Sequence, residues 1–267
     1  MCLVVLALGL HADYPVILGA NRDEFHQRPT ASACLWPDAP DVAGGRDLQQ
    51  GGAWLAASRR GALAVVTNYR DPANRVSGGP SRGQLVKDFV AGPPIPAETF
   101  LRGSVMPAEG YDGFNLIAVD ASGAWYGSNR GTIRPLSEGL YGLSNHLLDT
   151  PWPKVLRVKA AVGAALSRNG TDMVEGILDI LGDREGAPDD QLPSTGVSLE
   201  LERLLAAPFI VSPEYGTRCS TVVTVDRQAR LKLVERSFGA AGSALETRVI
   251  DLSLQAPLHP NRGDHGA

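Results

Sequence analysis

Cys2-Leu3-Val4-Val5-Leu6-Ala7-Leu8, followed by Pro15-Val16-Ile17-Leu18-Gly19-Ala20 and then Asn21-Arg22-Asp23-Glu24, decides how this chain is read. A thiol stands directly behind the initiator methionine, and an unbroken apolar run follows it. Runs of this length rich in Val, Ile and Leu read as buried strands. Cys2 to Leu8 is therefore expected as one strand and Pro15 to Ala20 as its hairpin partner, across His11-Ala12-Asp13-Tyr14. The two-residue side-chain period puts Gly19, Asn21 and Asp23 on one face and Arg22 and Glu24 on the other. Alternation thus separates Asp23 from Glu24, although the two carboxylates are neighbours in the chain.

Working outward, residues 28–50 are rich in Pro, Gly and Asp and read mostly as loop. Gly52 to Ser58 and Ala62 to Tyr69 make a hairpin, the second strand running into Thr67-Asn68-Tyr69-Arg70. Ser81 is placed to cap a helix from Arg82 to about Val90, and a second short helix is expected over Ala97 to Arg102. Phe114 to Asp120, Ala124 to Ser128 and Leu140 to Ser144 are further strands, the last ending at Asn145. Lys154 to Ser167 carries an apolar stripe of helical period with Gly170 behind it as a stop, and Met173 to Leu181 continues in helix. Cys219 to Asp226, Leu231 to Phe238 and Thr247 to Leu252 close the chain as three strands in meander order. Strands first, helices in the middle and strands last indicate an α+β fold with antiparallel sheets. Residues 1–255 are expected to form one domain and 256–267 a disordered tail.

Composition bounds the function. The 267 residues are 43% hydrophobic and 20% charged, with a net charge of −4 and no long basic run. That is a globular composition without a nucleic-acid surface. Three widely spaced cysteines, Cys2, Cys34 and Cys219, form neither a disulfide framework nor a metal site by spacing. No stretch is long enough to span a bilayer. Leu3 to Leu10 lacks the basic flank of a secretory signal, so a cytoplasmic location is expected.

The chemistry points to the terminus. If Met1 is removed, the α-amine of Cys2, with a pKa of about 7.7–8.0, lies beside a thiol of about 8.5 and can take its proton near neutral pH. The thiolate can then attack a carbonyl and form an acyl-enzyme. Asp23 is placed to orient the amine. Asn68 and Asn145 close strands and offer amide donors to an oxyanion, and Arg218 precedes the strand from Cys219. Asn after a strand is also a common turn residue, and Arg22 with Asp23 can simply be an ion pair at a hairpin end. Cys34 and Cys219 read as packing residues, His11 and His26 as solvated, and His259 and His265 as tail. His146, beside Asn145, reads as a supporting residue, since the amine already fills the base's place. Gly78-Gly79-Pro80-Ser81-Arg82-Gly83 lacks the ending of a phosphate-binding P-loop. With Arg70, Arg75 and Arg82 around it, however, it could seat an anionic acyl carrier such as coenzyme A.

Cys2 with Gly19-Ala20-Asn21-Arg22-Asp23-Glu24-Phe25 resembles the NRDE family, also called the transport and Golgi organisation 2-like family. Thr67-Asn68-Tyr69-Arg70, Pro80-Ser81-Arg82-Gly83 and Leu143-Ser144-Asn145 are similar to its later motifs. That family in turn resembles N-terminal-nucleophile hydrolases that begin with cysteine. The resemblance implies a four-layer αββα sandwich, with Cys2 as nucleophile and Asp23 as the amine-orienting carboxylate. Asn68 and Asn145 match the oxyanion positions and Arg218 the supporting arginine, with Asn21, Arg22, Glu24, Tyr69 and His146 around them. At Ala20 the chain departs from those hydrolases, which carry an arginine there; here the arginine is Arg22. The implied activity is cleavage of a small-molecule amide or thioester without metal or cofactor. The alternative is a carrier of acyl-CoA, lipid or haem on the same fold, with Cys2, Cys219 or His146 as iron ligands.

Overall fold

The first strand already contains the layering. In β1 (Cys2–Leu8), Leu3, Val5 and Ala7 belong to one buried cluster and Val4, Leu6 and Leu8 to another. Side chains alternate between the faces of a strand, so a strand apolar at every position needs a hydrophobic layer on each side. The computed structural model describes residues 2–76, 78–105, 110–168 and 170–259, with the backbone alone at Cys2. Removal of Met1, the position of the Cys2 sulfur, and residues 260–267 of the expected tail, His265 among them, lie outside the described residues.

β1 lies second in a six-stranded antiparallel sheet. Its neighbours are β10 (Gly139–Leu143) on one side and β2 (Val16–Phe25) on the other, followed by β11 (Tyr215–Val225), β12 (Arg230–Phe238) and β13 (Ala244–Ser253). The second sheet is a seven-stranded meander in chain order. It comprises β3 (Thr30–Trp36), β4 (Ala39–Asp47), β5 (Leu55–Ser58), β6 (Ala62–Asn68), β7 (Phe114–Asp120), β8 (Gly123–Ser128) and β9 (Arg134–Leu136). Between the sheets, Leu6 and Leu18 of the first meet Leu55, Leu63 and Ile117 of the second. Helices α1 (Arg82–Ala91) and α2 (Ala97–Val105) cover the outer face of the second sheet through Leu85, Phe89 and Leu101. On the first sheet, α3 (Pro153–Ala165) and α4 (Gly170–Leu181) pack Val155, Val158 and Ile177 onto Leu3 and Val5. A short α5 (Leu199–Leu204) follows. The result is the expected α+β, four-layer αββα sandwich.

The structure corrects the reading in four places. Residues 28–50 hold two strands, β3 and β4. Register shifts between Ala31 and Cys34 and between Leu35 and Trp36 break the two-residue alternation that marks a strand. The glycines there serve close packing, since a Cβ on Gly45 would sit 2.1 Å from the Trp54 ring. Gly170 does not end the first long helix, which stops at Ala165; at φ +52° it opens α4. Leu258 is fully buried in the inter-sheet cluster, so packed chain continues past residue 255. His11 is not solvated: it is 6% exposed, its Nδ1 accepts from the Asp13 N–H at 3.0 Å, and its Nε2 lies 3.2 Å from the Arg168 carbonyl.

Candidate functional site

The site lies at the end of the sandwich where β1 begins and where β2 and β6 end. β1 and β2 pair with Cys2 directly opposite Arg22, and on its other side Arg22 lies opposite Cys219 of β11. β10 runs beside β1 with Leu143 opposite Val4, which brings Ser144 and Asn145 level with the start of the chain. Residues remote in sequence thus meet at one rim. A cleft of about 220 Å³ opens there, lined by Arg22, Asp23, Trp54, Asn68 and Arg82 among others.

Strand alternation divides β2 as expected. Asn21 and Asp23 face the helices. The Asn21 Nδ2 donates to the carbonyls of Leu181 and Pro208 at 2.8 and 2.9 Å, and its Oδ1 accepts from Ser220 Oγ at 2.6 Å. That amide is spent on joining β2 to the end of α4. Asp23 is 1% exposed, and its Oδ1 accepts from Thr217 Oγ1 at 2.7 Å, the same hydroxyl that receives the Ile210 N–H at 2.9 Å. Burial raises the Asp23 pKa, while Lys154, the Thr217 hydroxyl and Arg22 pull it down. On the opposite face Arg22, 5% exposed, stacks on Trp54 with its Cζ 4.4 Å from the ring centroid and donates to Thr30 Oγ1 at 3.0 Å. Glu24 is 3.9 Å from Arg22 and 3.6 Å from Arg28. Asp23 and Glu24 accordingly hold different partners.

Asn68 and Asn145 are brought together. Asn145 is fully buried, donates from Nδ2 to the Asn68 carbonyl at 3.1 Å, and accepts from Ser144 Oγ at 3.3 Å. Asn68 lines the cleft. Around them the two sheets are stitched by Thr67 Oγ1 donating to the Ser144 carbonyl at 2.9 Å and Asn115 Nδ2 to the His146 carbonyl at 3.0 Å. The Tyr69 hydroxyl lies 2.8 Å from His146 Nε2, and His146 Nδ1 lies 2.9 Å from Thr150 Oγ1. Because Thr150 gives its proton to the Leu147 carbonyl at 2.7 Å, it accepts from Nδ1–H, which leaves Nε2 to accept from Tyr69. Burial lowers the His146 pKa and raises that of Tyr69, in keeping with a neutral pair that props the two asparagines.

Arg218 sits in a bulge between Thr217 and Cys219. Its Nη1 donates to the carbonyls of Phe25, His26 and Arg28 at 2.9, 3.1 and 3.3 Å, so it fixes the turn that follows β2. Arg70, grouped by sequence with the 78–83 loop, lies elsewhere: its side chain is 7% exposed and bound to Glu202 at 2.6 Å. Of the proposed iron ligands, Cys219 is 3% exposed in the inter-sheet core, where burial and Glu235 push its thiol well above the ordinary range. Both ring nitrogens of His146 are occupied. Sequence reasoning missed Thr217, Trp54 and Lys154. A lysine at the head of an apolar helix stripe was the one visible signal: Lys154 is 3% exposed and donates to the Leu205 carbonyl at 2.9 Å. Among the described residues, no helix is long and apolar enough to cross a membrane.

The family model described as Transport and Golgi organisation 2 matches residues 1–240. The human Transport and Golgi organization protein 2 homolog is 36% identical over 262 residues, covering 91% of this chain and 94% of that one. The Bos taurus homolog is 38% identical over 265 residues, with the same coverage of 91% and 94%. The Drosophila melanogaster protein is 28% identical, covering 84% and 87%. Among solved structures, the Caenorhabditis elegans ortholog of N-acylethanolamine-hydrolyzing acid amidase aligns with a TM-score of 0.41 at 11% identity, covering 83% of this chain and 92% of that one. The C2A mutant of conjugated bile acid hydrolase from Clostridium perfringens aligns at 0.42 and 8% identity, covering 94% and 92%. With a family match over most of its length and relatives more than 30% identical across nine-tenths of it, the chain belongs to the Transport and Golgi organisation 2 family.

Proposed function

We propose that this protein is a cysteine N-terminal-nucleophile hydrolase that cleaves an amide or thioester through an acyl-enzyme on Cys2. One observation supports it above the others: the strand that starts the chain pairs at its first described residue with Arg22, at the rim where Asp23 and Asn68 line one cleft. Once Met1 is removed, the freed α-amine takes the thiol proton and the sulfur attacks the substrate carbonyl carbon. Asp23, held by Thr217, orients the amine. An amide nitrogen carries two donors, so the Asn145 proton not given to Asn68 and the side chain of Asn68 are the donors for the oxyanion. Arg22, across from Cys2, favours the thiolate, and Arg218 keeps the turn after Asp23 in place. The ammonium then returns its proton to the departing amine or thiol. Water, deprotonated by the same amine, finally releases the acid and restores Cys2.

The test is the intact mass of the purified protein before and after incubation with an electrophilic lactam or thioester. The expected result is a chain lacking Met1 that gains one acyl group, with no gain in Cys2→Ala. Retained Met1, or an adduct that survives Cys2→Ala, overturns the reading. If the native chain forms no adduct but both forms bind acyl-CoA equally, a carrier function with the anionic phosphates of the coenzyme against Arg82 takes its place.

A further inference from the structure

A second small cavity is built around Arg70, with Trp152, Lys154 and Leu205 in its wall. The Arg70 guanidinium is 7% exposed and lies with its Cζ 5.1 Å from the Trp152 ring centroid. One edge is used: Nη1 donates to Glu202 Oε2 at 2.6 Å. The other edge is not, since Nε and Nη2 are both buried without a hydrogen-bond partner. Leaving a buried donor unmet costs about 1–3 kcal/mol, and more when it is charged, so two on one cation call for an occupant. Nε and Nη2 form the parallel pair with which arginine grips an anion.

The space open to the centre of a water-sized sphere there is about 10 Å³, close to what one water-sized species needs. Its wall decides which species. Apart from Arg70 and Lys154, the lining side chains are tryptophan, leucine, proline and alanine, so none offers an acceptor. The nearest carboxylate, Glu202, already takes Arg70, the Thr195 N–H at 2.8 Å and the Thr195 hydroxyl at 2.6 Å. The Leu205 carbonyl receives Lys154 Nζ at 2.9 Å. No side chain of this wall can accept, so a water taking both guanidinium protons would have to place its own two protons on backbone carbonyls. A single-atom anion accepts from both and has none to place.

We propose that this cavity is a buried halide site, with Arg70 Nε and Nη2 as its donors and Lys154 as the second cation. It does not depend on whether Cys2 is a nucleophile. The test uses the full chain. In crystals grown with bromide in place of chloride, an anomalous peak is expected within hydrogen-bonding reach of Nε and Nη2. In solution, at fixed ionic strength balanced with gluconate, chloride or bromide should raise Tm saturably, by about 5 °C at a hundredfold excess over Kd. Because Arg70→Met alone strands the Glu202 charge, Arg70→Met is combined with Glu202→Gln, and this pair should lose the halide-dependent rise. Lys154→Met should weaken it. An ordinary solvent peak without bromide signal identifies a structural water and overturns the proposal. So does a Tm that follows gluconate equally, or a bromide peak without saturation below molar salt. Should the double variant not fold, the anomalous map of the native chain decides alone.

Discussion

Asp23 and Glu235 belong to the same sheet and are each 1% exposed, and burial raises the pKa of both. They lie on opposite faces. Asp23 stands on the helix-covered side at the rim, beside the start of the chain, and lines the cleft. Glu235 faces the second sheet, in line with Leu231 and Leu233. Its oxygens accept from the Ala33 N–H of the opposing sheet at 2.6 Å and from Thr221 Oγ1 at 3.1 Å. One acid is buried but borders open space, whereas the other is a tie between layers. A perturbed, buried carboxylate is a common mark of a catalytic group, yet here that mark fits both. Access and the nearby chain terminus tell them apart.

The sharpest way to break this distinction is to neutralise each acid without changing its shape. Under the hydrolase reading, Asp23→Asn should slow acylation of Cys2 by roughly 10²–10⁴-fold, the range for loss of a positioned proton-transfer system. Glu235→Gln should leave the acylation rate essentially unchanged. Adduct formation followed by intact mass measures both. Equal losses would mean that Asp23 acts through stability, as Glu235 does.

How much of this could be read from the chain alone depends on the kind of signal. β1 and β2 were legible because their apolar runs are unbroken; the order of strands and helices indicated an α+β fold with antiparallel sheets, and the four layers came from the family resemblance. Asp23, Asn68 and Asn145 could be picked out as candidates because each lies at or near the end of a strand and the family motifs mark them. β3 and β4 were not, since two register shifts and close-packed glycines erase the period on which strand reading rests. The bulge that turns Arg218 onto the carbonyls of the Phe25–Arg28 turn leaves no trace in residue types. Nothing in the residue types around Glu235 marks it as buried; only the packing of one sheet on the other reveals its partner at Ala33. Arg70 was misplaced for the same reason, as Glu202 lies 132 residues further along.

A smaller effect comes from the hydroxyls that hold the two acids. Thr217→Val strips Asp23 of a donor and leaves the Ile210 N–H without its acceptor, so it should cost about 1–3 kcal/mol in urea unfolding. Thr221→Val should cost less, because Glu235 keeps the Ala33 N–H. Only Thr217→Val should also lower the acylation rate.

The pH dependence of stability follows from the same pair. For each acid the folded state holds its proton more tightly than the unfolded chain does. The stability each contributes is therefore complete below the ordinary values of 3.8 and 4.5, and it is lost as pH rises through the raised folded values. Asp23→Asn and Glu235→Gln remove that loss. Relative to the native chain, their Tm should rise progressively as pH climbs above the ordinary carboxylate range. A difference that stays flat with pH would show that the acids are not held in this way.

The smallest effect tests whether the face of the sheet or the rim itself sets the role. Asn21 shares its face with Asp23 and is two residues from it, but it is sealed between Ser220, Leu181 and Pro208. Ser220→Ala removes one hydrogen bond to Asn21 and should cost on the order of 1 kcal/mol. Cys2 acylation should keep its native rate, because nothing at Asn21 opens onto the cleft. A slowed reaction in Ser220→Ala would mean that strain anywhere along this face of β2 reaches the amine. Asp23 would then owe its role to the strand as a whole and not to its place at the strand's open end.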